Sequence, residues 1–562
     1  MNTVYFDTET SGLSPFNDHI TLIQILQNKE IMLTRAFTDD RKAELKDVLE
    51  NNLIVGHNLK FDLKFLKQQF NIEPTHLFDT YIAEILISGG LKARQKGVAT
   101  LDAVTKTRLN IELDKDEKLR LSFKSQELTP EQIKYAMMDV AVLPEIYKQQ
   151  QSEITKLGIQ RTFNIEMSAL PAVVWLELSG LPLDLEALKK KEVEVKEKII
   201  EAKTKIITIL KESGFKSRYM SGYMDINIDS PKQLLEALQK IGLKVESTGD
   251  EVISSLKHPI GKAIKEYRKL NKLLTGFILK YPEHIHAVTG RIQPEFNQCG
   301  TNTGRFTSSK PNMQQVPKDK TIRALFKAPP GYKIVAADYS QIELRIMAEV
   351  SQEPKFLDIY RNNGDLHRLT ASLILNKPAT EITKEERQQA KAVNFGFVYG
   401  LGAESFKDKA KGDYDLDISI EQAQDFRNKF FGGYPVLNKY LRNIGNKAAA
   451  EEHIVNLSGR RVSFPPDLEG WEYENMGRNT PIQSLSADIT KSAMGRLYLK
   501  LRRFQGLKFI NSVHDELVFE VKDDDVKEVS GLIKTIMEEA GQEFIKTVPC
   551  IVEVAVEDSW QK

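Results

Sequence analysis

A chain of 562 residues is too long to fold around one hydrophobic core, so its architecture has to be assembled from several. Length alone suggests roughly three or four domains, or two with large subdomains. Hydrophobic residues at 41% and charged residues at 28% fit a globular protein and argue against a disordered one. No stretch approaches the roughly 20 apolar residues that span a bilayer, so no membrane partner is expected. The two cysteines, Cys299 and Cys550, exclude a disulfide scaffold and a cysteine-rich zinc module.

Charge is less informative. The 79 Lys and Arg nearly balance 78 Asp and Glu, for a formal net charge of +1. A strongly basic nucleic-acid binder is thereby removed, but a basic groove can coexist with acidic surfaces elsewhere. The start, MNTVYFDTET, resembles neither a signal peptide nor a transit peptide, so a cytoplasmic location is expected.

Strand and helix signals alternate to about residue 160. VYFDTET, HITLIQILQ and EIMLT predict strands, AELKDVLENN a helix, and LIVGHNLKFDLKFL a strand running into a helix. Thr129-Pro130 supplies a cap and a first-turn proline for one long helix through Gln150. Helical patterns then dominate: EMSALPAVVWLELSG, interrupted by Pro171, a Lys-rich helix over 184–212, and another over 258–278. Their charged faces read as solvated surface or as a clamp on a polyanion, and the spacing alone favours the former. Beyond residue 290, YKIVAADYS predicts a strand, QIELRIMAEV a helix, 352–455 a mostly helical stretch, and GLKFINSVHDELVFEV two strands around a tight turn.

Two groups of acids stand out against this background. Asp7 and Glu9 lie two apart on a strand and share a face. Asp62 falls where the next strand should end, and Tyr135 and Asp139 are four apart on one helix. Each alone is most simply a solvated acid or a cap. Together, four carboxylates and a phenol match phosphodiester hydrolysis by two hard cations about 4 Å apart. DTET, HNLKFD and YAMMD resemble the three motifs of the DnaQ-like 3′–5′ proofreading exonucleases of RNase H-like fold. The resemblance makes Asp7, Glu9, Asp62 and Asp139 metal ligands, Tyr135 the water-positioning residue and Asn58 a DNA contact.

In the second group, Asp338 ends the strand KIVAAD, and Asp515 and Glu516 occupy the turn of the late hairpin. Between them, Arg387, Lys391, Phe395 and Tyr399 recur every four residues, one slowly turning helix face. Two cations followed by two aromatics suit a nucleotide, although a salt-bridged amphipathic helix has the same pattern. No GxxxxGK[ST] motif occurs, which excludes a P-loop.

DYSQIELR, RQQAKAVNFGFVYG and VHDE resemble motifs A, B and C of family A DNA polymerases, the bacterial DNA polymerase I group. TNTGRFTSSKPNMQQVP, GDLHRLTA and NTPIQSLSADITKSAM extend the resemblance over nearly the whole chain, in family order. It implies an α/β RNase H-like exonuclease domain at 1–160, followed by an α+β right-hand polymerase domain at 161–562. Within the latter the thumb is expected at about 184–285, the palm at about 290–350 and 456–562, and the fingers at about 351–455.

The implied roles follow residue by residue. Asp338 and Asp515 hold two metals, with Glu516 secondary. Arg387, Lys391 and His367 contact the incoming triphosphate, and Lys391 donates a proton to pyrophosphate. Phe395 and Tyr399 flank sugar and base, Gln341 belongs to the nucleotide site, and Glu343 is the steric gate against a ribose 2′-OH. Arg305, Asn479, Gln483 and His514 contact primer or template. Mg²⁺ is the implied cofactor, two ions per site, with Mn²⁺ as a substitute. Primer–template DNA and dNTPs are the partners, unidentified replication factors are allowed for, and the chain is expected to be a monomer.

Some features depart from the pattern. The chain starts almost at the first exonuclease strand, so a large fragment without a 5′-nuclease domain is expected, and replication and repair both stay open. Asn475 stands where relatives commonly carry Arg, and Ser484-Leu485-Ser486 where they carry Gly-Thr-Ala, which puts template grip in question. Cys299-Gly300 has no explanation from sequence. A nuclease with a non-catalytic polymerase half, or a DNA-binding scaffold, would predict losses among the acids, and none is seen.

Overall fold

The computed structural model of the protein describes residues 1–113, 123, 127–215, 226–414 and 416–561. Five strands form the first sheet: β1 (Thr3–Thr10), β2 (Ile20–Gln27), β3 (Glu30–Thr34), β4 (Leu53–Gly56) and β5 (Leu77–Asp79), in the order β3-β2-β1-β4-β5. β1 runs antiparallel to β2 and parallel to β4. Val4 and Phe6 are buried in the core below it, and the alternation of the strand turns Asp7 and Glu9 the other way. Three helices follow the strands: α1 (Asp39–Glu50), α2 (Lys60–Phe65) and α3 (Thr80–Ile87).

The single long helix expected from Thr129 is two. α4 (Pro130–Ala141) starts from a Thr129–Gln132 capping box and ends at Val142, and α5 (Leu143–Lys156) begins at once. Pro144 near its start has no N–H for the carbonyl four residues back, so hydrogen bonding cannot continue. The opposite happens at Pro171. α6 runs unbroken over Gln160–Ser179, and burial of Leu170, Pro171 and Ala172 offsets the lost hydrogen bond.

Two helices with charged outer faces, α7 (Leu185–Glu212) and α8 (Pro259–Leu273), pack through Ala202, Ile206, Ile260 and Ile264. A short hairpin of β6 (Glu295–Asn297) and β7 (Thr307–Ser309) precedes β8 (Tyr332–Tyr339). Then come α9 (Ile342–Ser351), α10 (Leu366–Leu375), α11 (Lys384–Phe397), the hairpin of β9 (His453–Val455) and β10 (Arg461–Ser463), and α12 (Gly470–Leu501). The second sheet is antiparallel throughout: β11 (Lys508–Val513), β12 (Glu516–Lys522) and β13 (Val552–Glu557) join β8 in the order β11-β12-β8-β13. Val335, Ala337 and Tyr339 of β8 face the largest core, whereas Ile334 and Ala336 pack with Phe326 and Trp560. Among the described residues no helix is long and apolar enough to cross a membrane.

A buried polar network ties α6, the β9–β10 turn and α12 together. Lys491 Nζ lies 2.5 Å from Glu166 Oε1, and Arg460 bonds Asp488 through Nε (2.8 Å) and Nη2 (2.6 Å) while also reaching Glu166. Burial alone would push the Glu166 carboxyl up, but Lys491 and Arg460 hold it below the ordinary value. Ser484 belongs to the same region, accepting from Asn456 Nδ2 at 3.0 Å. Removing one partner leaves a buried charge uncompensated. Arg460→Met should therefore lower stability by about 3–5 kcal/mol in urea denaturation; a loss below about 1 kcal/mol would show that Glu166 and Asp488 are not left as uncompensated buried charges.

Candidate active sites

The first site is a cleft of about 940 Å³ above the five-stranded sheet. One ligand oxygen each from Asp7, Glu9 and Asp139 lies within 4.8 Å of the others. Asp7 and Glu9 come from β1 and Asp139 from α4, where Tyr135 sits one turn earlier, mostly buried with its ring 5.9 Å from Phe123. Asp62 lines the same cleft but stands on α2 rather than at a strand end, because β4 stops at Gly56. Burial pushes the Asp62 carboxyl up to about 7 even though Thr8 Oγ1 donates to it at 2.5 Å, and the nearby Asp79 charge adds to the rise.

Asp79 is the residue that the motif reading missed. Fully buried, it accepts the backbone N–H groups of Asn58 (3.0 Å), Leu59 (2.8 Å), Tyr81 (2.8 Å) and Ile82 (3.3 Å). It thus caps α3 and holds Asn58 in the left-handed conformation (φ 58) at the cleft wall. The signal was present in FDTYIAEILI, an acid immediately before an apolar helical run. Asn297, Gln298 and Cys299, distant in sequence, complete the wall. Burial pushes the Cys299 thiol up to about 12, and a Cβ at Gly300 would overlap Thr307, which explains the glycine sterically.

The second site lies at one end of the four-stranded sheet. Asp338 near the end of β8 stands directly across from Glu516, the first residue of β12, while Asp515 is in the turn with His514 (φ 57). Burial and then the Asp338 charge push the Asp515 carboxyl up to about 7. Glu516 is engaged by the Trp560 indole N–H (2.8 Å) and Arg323 (3.3 Å), so its carboxylate braces the strand end. Glu343 on α9 is held from two sides, by Arg305 and by the Tyr399 hydroxyl. His514 is held below its ordinary value by burial and by the charges of Arg305 and Lys318.

α11 carries Arg387, Lys391 and Phe395, but it ends at Phe397, so Tyr399 extends from the turn beyond it rather than from the helix face. Arg387 pairs with Asp365, the cap of α10. No ion pair involves Lys391 among the described residues. His367 Nδ1 lies 2.8 Å from Asn394 Nδ2, and Asn394 Oδ1 accepts from Thr370 Oγ1 at 2.8 Å. With the amide N–H₂ toward the ring, as in this arrangement, Nδ1 accepts and Nε2 carries the histidine proton. Burial then pulls the His367 pKa down to about 4, and Asp365 opposes that fall. Gln341, left-handed at φ 54, accepts from the Tyr360 hydroxyl at 3.0 Å. Asn479 and Gln483 project from α12; Asn479 Nδ2 donates to the Asn475 carbonyl, and the Asn475 side chain accepts from Arg478 at 2.9 Å.

Comparison with known proteins identifies two families along the chain. Residues 1–155 match the 3′–5′ exonuclease family and residues 185–562 match DNA polymerase family A. DNA polymerase I of Aquifex aeolicus is 33% identical over 100% of this chain and 96% of its own length. That of Caldicellulosiruptor bescii is 31% identical over 93% of this chain, and the thermostable enzyme of Thermus aquaticus 31% over 77%. The chain spans 59% and 52% of those two relatives. In fold it resembles the POL domain of Pol1 from M. smegmatis, a complex with DNA primer-template and dNTP, with a TM-score of 0.83, 24% identity and coverage of 99% and 95% of the two chains. The chain belongs to DNA polymerase family A and joins a 3′–5′ exonuclease domain to its polymerase domain, as a DNA-directed DNA polymerase with 3′–5′ exonuclease activity.

Proposed function

We propose that this protein extends a primer 3′ end with dNTPs at the second site and removes mispaired ends at the first, each with two divalent cations, Mg²⁺ by preference. The observation that carries the reading is the gathering of carboxylates at two separate places, Asp7, Glu9 and Asp139 in a cleft above the first sheet and Asp338 beside Asp515 at the end of the second. Oxygen-only donors fit Mg²⁺, with Mn²⁺ as a substitute, and like charges this close favour a cation between them. Ions bound there make water or a primer hydroxyl a better nucleophile and stabilise the leaving oxygen.

In the exonuclease cleft Asp7, Glu9, Asp62 and Asp139 are the ligands, Tyr135 orients the attacking water, and Asn58 holds the DNA end. At the second site Asp338 and Asp515 are the ligands and Glu516 supports them. Arg387, Lys391 and the Nε2–H of His367 bind triphosphate oxygens, and Lys391 returns a proton to the departing pyrophosphate. Glu343, fixed by Arg305 and Tyr399, fills the space a 2′-OH needs, and Gln341 lies beside it. Phe395 and Tyr399 flank sugar and base. Arg305, Asn479, Gln483 and His514 contact primer or template, and the DNA is held largely by phosphate contacts and hence in a salt-sensitive manner. The assignment divides the chain into 1–160 and 161–562, with α7 and α8 in the thumb, the second sheet in the palm and α10 and α11 in the fingers. The reaction serves replication or repair, by a monomer in the cytoplasm.

Three outcomes are expected. On a 5′-labelled primer–template with Mg²⁺, wild type extends with dNTPs and degrades from the 3′ end without them. Asp7→Ala loses degradation and Asp515→Ala loses extension, each by at least about a hundredfold, as removal of a metal ligand requires; loss of both activities in either variant contradicts two separate sites. Wild type incorporates ddTTP poorly against dTTP and Phe395→Tyr incorporates it well; efficient incorporation by wild type contradicts the role of Phe395. Because its pKa is lowered, neutral His367 favours the fold above pH 6.5, and that advantage is lost as pH falls toward about 4. Nitrogen NMR of ¹⁵N-histidine protein at pH 6 should show a neutral Nε2–H ring; an imidazolium there contradicts the assignment.

A further inference from the structure

Helix α6 lies between the two sites and carries two buried glutamates, Glu166 and Glu177. They are eleven residues apart, three turns with about 20° to spare, and so share one face. Both grip the same stretch of chain. Glu177 Oε1 accepts the backbone N–H of Phe296 at 2.7 Å, and Glu166 Oε2 accepts Gln298 Nε2 at 2.5 Å. From there the stretch forms part of the exonuclease cleft wall at Asn297–Cys299 and reaches Arg305 beside Glu343 of the polymerase site.

The other contacts of Glu177 are with the exonuclease domain. Lys60 Nζ lies 2.6 Å from its Oε1 and Lys64 Nζ 2.7 Å from its Oε2, and Lys60 also donates to the Phe296 carbonyl at 2.6 Å. Both lysines belong to α2, which runs without a break into a π-helical segment at Leu66–Phe70. Lys60 and Lys64 are one turn apart on one side, and Asp62 falls on the opposite side. Fastening the lysines to Glu177 therefore turns Asp62 toward the cleft. The carboxylate stays ionised, since the two lysines outweigh the burial that would raise it.

We infer that Glu177, outside the stretch that matches the exonuclease family, is a positioning residue of the exonuclease site, orienting α2 and with it Asp62 and Asn58. This rests on the proposed assignment of Asp62 as a metal ligand. The link is direct: α2 is held by a helix that also anchors the polymerase network through Glu166, so the geometry of one site depends on the body of the other.

The test compares wild type, Glu177→Gln, Lys64→Met and Asp7→Ala as full-length chains. Mn²⁺ binding without DNA is followed by the loss of the free-ion electron paramagnetic resonance signal, alongside degradation of a single-stranded oligonucleotide and dNTP extension. Glu177→Gln should weaken the Mn²⁺ sites that Asp7→Ala abolishes and lower the kcat for degradation by about 10- to 100-fold, the usual effect of losing a partner that orients a metal ligand. KM for the oligonucleotide and the extension rate should stay within about twofold, a split that a general structural role would not produce. Lys64→Met should move the same quantities in the same direction by a smaller factor. Unchanged Mn²⁺ binding and degradation in Glu177→Gln, or extension falling in step with degradation, would overturn the inference. If Glu177→Gln does not fold, wild-type behaviour of Lys64→Met overturns it instead. Equal degradation by wild type and Asp7→Ala would sink the site assignment beneath it, a different failure.

Discussion

Repulsion between carboxylates held close together is the constraint around which this molecule is organised. In the first site three acids bring oxygens within 4.8 Å of one another, and in the second burial, and then the Asp338 charge, raises Asp515 to about 7. Such groups separate in a pliable structure, so each has to be fixed by backbone with little freedom to yield. The protein does this by placing acids near strand ends and beside them: Asp7 and Glu9 on β1 at the centre of a five-stranded sheet, Asp338 on β8 between two partners. Acids supplied by helices need further anchors. Asp139 lies in the last turn of a capped helix, and Asp62 is set by a helix tied to Glu177.

The same logic explains the buried charges away from the reacting groups. Glu166, Arg460, Asp488 and Lys491 compensate one another inside the polymerase half, and Glu177 with Lys60 and Lys64 does so at the border with the exonuclease half. Pairs of this kind add little net stability over apolar packing, but they tolerate few alternative arrangements. Close backbone contact completes the border. The β10 residue Ser463 donates its N–H to the Gly89 carbonyl, and at Gly90 (φ 81) a side chain would meet the Asn302 backbone.

Much of this was legible in the sequence, and the exceptions have physical causes. Alternation exposed β1, β2 and β8, and Thr129-Pro130 marked a helix start, because each is a local signal. Proline was the unreliable one: Pro144 breaks a helix and Pro171 does not, and only the burial around Pro171 distinguishes them. Tyr399 continued the four-residue spacing of α11 past its actual end, where periodicity carries no information about a turn. β13 escaped notice as an edge strand whose valines alternate with acids and with an alanine. Motifs singled out the acids that the structure brings together, but Asp79, Asn394 and Glu177, which hold Asn58, His367 and α2, do so through contacts 20 or more residues away in the chain. Those contacts exist only once the chain is folded.

The most direct test of two cooperating sites in one chain uses a primer with a labelled, mispaired 3′ nucleotide, given Mg²⁺ and all four dNTPs together. The account predicts that wild type releases the label first and then makes full-length product lacking it. Full-length product that retains the label, made by wild type as readily as by Asp7→Ala, would contradict it.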